Sequence, residues 1–120
     1  MLETKHRAIR LHRVLSNALR AKILDALESG PRTPRQLAFA THRLLPAVSR
    51  ALSILALADL VENRTVGHSV LYRLKHPDVL GLLRHAEAIV QRFNLPALPP
   101  IYDSMPAPEG PKGPAPEKAS

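Results

Sequence analysis

The 120-residue sequence has no cysteine and no tryptophan. Without thiols the chain can form neither disulfides nor thiolate metal sites, and it cannot sense redox through its own sulfur. Aromatic residues amount to 3%, and the four present, Phe39, Tyr72, Phe93 and Tyr102, are scattered. That argues against binding of single-stranded nucleic acid, which depends on stacking faces. There is no glycine-rich phosphate loop, and the histidines and acids form no nucleophile or acid–base set, so no enzymatic activity is expected. No window approaches the ~18 apolar residues of a membrane span. Met1 to Arg7 is charged and leads into no apolar stretch of signal-peptide length. The expectation is a soluble cytoplasmic protein with no membrane partner.

What the chain does have is positive charge. Its formal net charge is +7, and residues 1–95 hold 15 of the 17 Lys and Arg but 7 of the 10 Asp and Glu. A strongly basic, aromatic-poor chain suits a polyanionic partner. Prolines are distributed the other way, with 8 of the 12 in residues 96–120. That stretch has few large apolar residues and its prolines remove backbone donors, so it is expected to be a disordered, proline-rich tail. The predicted organisation is one folded unit at 1–95, which is as much core as this length supports, followed by the tail at 96–120.

Within 1–95 the apolar spacing is mostly helical. Ala8, Leu11 and Leu15, widened by Ile9 and Val14, predict a helix from Leu2 to about Leu15. Ser16 or Asn17 can cap the next helix, whose apolar side is Leu19, Ile23, Leu24 and Leu27. Gly30-Pro31 stops it. Thr33-Pro34-Arg35-Gln36 has the form of a capping box with proline at the first helical position. It predicts a short helix to about Ala40 and a turn at 41–44. Pro46 opens a further helix with Val48, Leu52 and Leu55 on one side. Past Asp59, residues 60–66 and 69–74 read as two strands around Gly67-His68. Pro77 is expected to open a last helix with Val79, Leu82, Leu83, Ala86 and Val90 as its apolar side, ended by Asn94-Leu95-Pro96. His76 is expected at its cap.

This is the α-α-α-α-β-β-α order of a winged helix-turn-helix: mainly α, with a small β-hairpin as the wing. Such proteins set the second helix of the pair, here about 45–58, into the major groove of double-stranded DNA. At 100° per residue, Val48, Leu52 and Leu55 share one sector, while Arg43, Pro46, Ser49, Arg50 and Ser53 fall broadly opposite. Arg50 can bind guanine or a phosphate, and Ser49 and Ser53 can donate to either. The same pattern also fits an ordinary amphipathic helix with a solvated face.

The residues Leu15 to Leu24, with Arg20 and Ile23-Leu24 in register, then Leu37, Val48-Ser49-Arg50-Ala51-Leu52, Leu55, Leu60-Val61 and the hairpin Glu62 to Leu74, resemble the ArsR (arsenic-repressor-type) family over roughly 8–90. The resemblance implies a homodimer joined through the first and last helices, at about 3–15 and 77–93. It also implies recognition helices in successive major grooves, about 34 Å apart, of an inverted repeat. Arg64 and His68 near the wing tip would then touch the flanking DNA, and the protein would act as a transcriptional repressor. Some positions depart from the family pattern. Ala51 stands in place of a usual His and Asp59 in place of a usual Gly, and Leu44-Leu45-Pro46 replace polar residues.

Many relatives of this type release DNA on binding a metal ion. The cysteine kind of site is impossible here. The candidates for a last-helix site are His76, Asp78 and His85, with Glu87 nearby. Asp78 and His85 lie about 10.5 Å apart along a helix axis and cannot share an ion within one helix. His6 and His12 could complete a set only across a dimer, and the family's later ligand positions fall near Ile89 and Arg92. These histidines therefore read as surface or helix-end residues, and no resident metal or other cofactor is expected. An organic effector and no effector are both compatible with the residues. Two other functions fit the same scaffold: a protein-interaction module using Leu44-Leu45-Pro46, Leu57 and the tail, and a non-specific DNA-binding protein.

Overall fold

In the computed structural model, which describes residues 2–97, the elements run α1 (Leu2–Leu15), α2 (Ala18–Ala26) with a closing 3₁₀ turn (Leu27–Ser29), α3 (Pro34–Thr41), α4 (Leu45–Leu57), β1 (Val61–Val66), β2 (Ser69–Leu74) and α5 (Val79–Phe93). The expected fold class is the observed one. The expected tail lies, from 98 onward, outside the described residues.

Local chemistry accounts for most boundaries. The Asn17 side chain accepts from the Arg20 amide at 3.0 Å and starts α2. Gly30, at φ 133, takes the chain out of the 3₁₀ turn. Thr33 and Gln36 form the full capping box, with reciprocal bonds of 3.1 and 2.9 Å, so two otherwise unpaired amides at the start of α3 are satisfied. α3 runs one residue beyond the expected end, to Thr41, whose buried hydroxyl donates back to the Leu37 carbonyl at 2.7 Å. Gly67, at φ 63, takes the first place of the two-residue hairpin turn, a position that favours glycine because it has no Cβ.

Other expectations need correction. α4 starts at Leu45 rather than at Pro46, with Leu44 at its N-cap. Leu60 precedes the first strand rather than opening it. α5 starts at Val79 rather than Pro77, because Pro77 and Asp78 sit in a turn in which the His76 carbonyl accepts from the Val79 amide. The cap position is Asp78, without a side-chain cap bond, so His76 is not the cap. Its imidazole lies 3.6 Å from the Asp59 carboxylate instead.

One core unites the elements. Leu15, Leu19, Ile23, Leu24, Leu27, Leu37, Val48, Ala51, Leu52, Leu55, Leu60, Val61, Val79 and Leu80 are buried together. Only the start of α5 reaches this core, with Val79 and Leu80 buried in it and Leu83 packed against it. Leu82 and Val90, expected on its inner side, are exposed, as are Phe93 and Leu95. At the other end, every described residue of α1 before Leu11 is exposed. Arg20 ties the end of α1 to α2, donating from Nε to the Val14 carbonyl at 2.7 Å, where a cation complements the negative helix terminus. Arg84 bonds Glu28 and so ties α5 to the end of α2.

Candidate nucleic-acid interface

α3, a three-residue turn and α4 form the helix-turn-helix. The turn is set by His42, in the left-handed region at φ 57, with the His42 amide bonded to the Phe39 carbonyl and the Arg43 amide to the Ala38 carbonyl. α4 ends in the same way. Asp59, at φ 65, directs its amide to Ala56 and that of Leu60 to Leu55. This is a Schellman arrangement with aspartate where glycine is commonest. The Asp59 carboxylate also accepts from Lys75 Nζ at 2.7 Å.

α4 buries Val48, Ala51, Leu52 and Leu55 and leaves Pro46, Ser49, Arg50 and Ser53 exposed. Pro46, Arg50, Ser53 and Leu57 follow one another at helical spacing along the outward row. Arg43 is exposed in the turn just before the helix. The structure thus brings Arg43, Pro46, Ser49, Arg50 and Ser53 to one outward surface. Ala51 faces the core. Leu57 is 88% exposed and belongs to the same row, although the sequence reading placed it only in a protein-binding surface. The 100° spacing from Arg50 was the signal for it.

The hairpin is regular and antiparallel, pairing Val61 with Leu74, Asn63 with Tyr72 and Val66 with Ser69. Its base is buried at Val61 and its tip is exposed, with Arg64 and His68 both in the exposed part. A further bridge joins Arg32 to Tyr72 through backbone bonds of 2.8 and 3.0 Å, pinning the wing to the loop before α3. Sequence reading missed this bridge. No local pattern marks it, since the restriction that Pro34 imposes falls on Thr33 and not on Arg32.

Arg73 engages Glu62 at 2.6 Å, Lys75 engages Asp59, Arg84 engages Glu28 and Asp25, and Arg7 engages Glu3. Hydrogen bonding from Lys75 holds the Asp59 carboxyl below its usual range, and hydrogen bonding from Arg84 does the same for Glu28. Arg35, Arg43, Arg50 and Arg64 have no carboxylate partner among the described residues. Lys5, Arg10, Arg13, Arg20, Lys22, Arg32 and Arg92 have none either, so unpaired cations lie along α1, α2 and α5 as well as at the start of α3, before and on α4, and on the wing.

His76, Asp78 and His85 are not gathered into a ligand set. Among the described residues no three His, Asp or Glu side chains cluster so as to hold a metal ion. No described helix is long and apolar enough to cross a membrane.

A helix-turn-helix buttressed by a pinned hairpin, with free cations on its outer helix and wing, defines a winged helix-turn-helix regulator of transcription. The family model for bacterial regulatory proteins of the arsR family matches residues 17–63. A possible transcriptional regulatory protein from Mycobacterium bovis (crystal structure of fragment 1–100) is 31% identical over 73% of this chain and 95% of that one, with a TM-score of 0.64. The homodimeric winged helix-turn-helix DNA-binding domain of a possible ArsR-family regulator from the same organism is 29% identical over 78% of this chain and 86% of that one, TM-score 0.67. The antimony-specific transcriptional repressor AntR is 28% identical over 75% and 82%, TM-score 0.66. Comparison with curated proteins gave no match. The chain belongs to the ArsR family of DNA-binding transcriptional regulators, a family of regulators rather than enzymes.

Proposed function

We propose that the protein is a homodimeric repressor that binds an inverted repeat. α4 lies in the major groove and the wing rests on the flanking backbone or minor groove. The observation that carries this is the outward surface of α4, where Arg43 and Arg50, without carboxylate partners, flank Pro46 and Ser49, with Ser53 one turn on. Arg50 and Arg43 supply base or phosphate contacts, Ser49 and Ser53 supply hydroxyl donors, and Arg64 and His68 meet the flanking DNA.

Two copies join through α1 and α5. Leu2, Ile9, Leu82, Val90, Phe93 and Leu95 are large apolar residues left in solvent in one chain. The first nine described residues of α1 have no buried face to hold them helical, and an isolated helix this short is marginal in water. Pairing with a second copy supplies the missing cover, and a homodimeric relative supports it. No resident cofactor is required, and the site of action is the cytoplasm, where the chromosome of a bacterial regulator lies.

Footprinting on DNA upstream of the protein's own gene tests this. A protected inverted repeat is expected, with affinity falling steeply as salt rises because phosphate contacts release counterions. Arg50→Ala is expected to weaken specific binding by about 1–3 kcal/mol if it makes a bidentate base contact. Equal loss on specific and random duplexes leaves Arg50 a phosphate role only. Salt-sensitive binding with no protected sequence would instead mark a non-specific DNA-binding protein.

A further inference from the structure

The DNA-binding reading above is the basis for one further assignment. The end of α4 that helix-turn-helix proteins bring to base edges is its N-terminus, and here that end is apolar. Leu44 is 79% exposed. It occupies the N-cap of α4 and makes no side-chain cap bond, at a position where Ser, Thr, Asp or Asn would satisfy a free amide. The leucine is therefore doubly unfavourable to the isolated chain: it leaves the helix uncapped and puts an isobutyl group in water. No packing among the described residues accounts for it.

Its neighbours say what could cover it. Arg43 precedes it and Arg50 lies beyond Pro46, both exposed and neither paired with a carboxylate among the described residues. An apolar spot framed by free cations complements a polyanion that also presents an apolar group. Duplex DNA offers one in its major groove, the C5-methyl of thymine. The rest of the surface offers few competing hydrogen-bonding groups, namely the hydroxyls of Ser49 and Ser53 and the guanidinium of Arg50.

We propose that Leu44 and Pro46 read thymine through its methyl group, so that each half-site carries thymine beside the base pair that Arg50 engages. Leu44 and Pro46 are then specificity-determining residues. They discriminate by covering a methyl group rather than by hydrogen bonding.

The test uses the full chain and duplexes selected from a randomised pool. Individual thymines in the selected duplex are replaced by deoxyuridine, which deletes the methyl and keeps every hydrogen-bonding group. Anisotropy titration is expected to show a loss of about fourfold per critical methyl, the value for one buried carbon, at symmetric positions in the two half-sites. In Leu44→Ala the uracil penalty should shrink or vanish while the salt slope and the thermal unfolding transition are kept, and Pro46→Ala supplies a second, independent readout. Specific binding indifferent to uracil at every position overturns the methyl contact and leaves the DNA-binding reading intact. So does a uracil penalty of equal size in both variants, and an unchanged affinity in Leu44→Ala assigns that leucine to a protein surface instead. Failure to select any sequence overturns the DNA-binding reading, and this assignment with it.

Discussion

His42, Asp59 and Asn94 hold left-handed backbone at φ 57, 65 and 51, each just past the end of a helix. Glycine carries no Cβ penalty there, whereas an L-residue does. The His42 ring has no hydrogen bond among the described residues that would offset this. His42→Gly relieves this penalty at the cost of a more flexible unfolded chain, and is expected to raise stability by roughly 0.5–1 kcal/mol, read from the denaturant midpoint at unchanged slope. Asp59 differs, because its carboxylate also holds Lys75. Leu44 presents the converse case. Leu44→Ser supplies the missing acceptor for the start of α4 and should add about 1 kcal/mol of stability by the same measurement, while removing the apolar contact argued above.

The elements are fastened to one another by exposed ion pairs as well as by the core. Arg84 holds α5 to the end of α2, and the hydrogen bond it gives Glu28 keeps that carboxyl below its ordinary range. A carboxylate with a lowered folded-state pKa stabilises fully above its unfolded value, and the contribution disappears as pH falls through the lowered value. Glu28→Gln should therefore lower Tm slightly at neutral pH, where the pair is fully present, and converge with the parent as pH falls below about 4.5, so that the acid side of a plot of Tm against pH is flatter in the variant. The difference should be small and should shrink in high salt, since the pair is exposed and screened. Unchanged acid sensitivity in the variant would mean that the pair does not form in solution.

The whole molecule, as a single chain, has a finished core and unfinished ends. Its helix-turn-helix and wing pack around Leu37, Leu52 and Leu55, yet Val90 and Phe93 of α5, and Leu95 just beyond it, are exposed with no cover among the described residues. In the proposed dimer, Val90→Asp combined with Phe93→Ser should halve the mass measured by sedimentation. It should also lower the helical circular dichroism as α1 loses its support, and abolish specific DNA binding. The parent protein should show a Tm that rises with protein concentration, as folding coupled to association requires. A concentration-independent Tm with a monomeric mass would remove the basis for two-fold operator binding.

The sequence by itself determined the element order, most of the core and the sorting of α4 into two faces, because helix periodicity, the Thr33–Gln36 box and the Gly67 turn are short-range effects written in neighbouring residues. It also carried the family, through motifs in register from Leu15 to the hairpin. It did not determine that Pro77 stays outside α5, that His76 turns toward Asp59, that Arg32 pairs with Tyr72, or that Leu82 and Val90 lie in solvent. Those outcomes depend on which distant segment reaches a given residue in space. A helical stripe shows which face is apolar, but only the packed chain shows how much of that face its own core can cover.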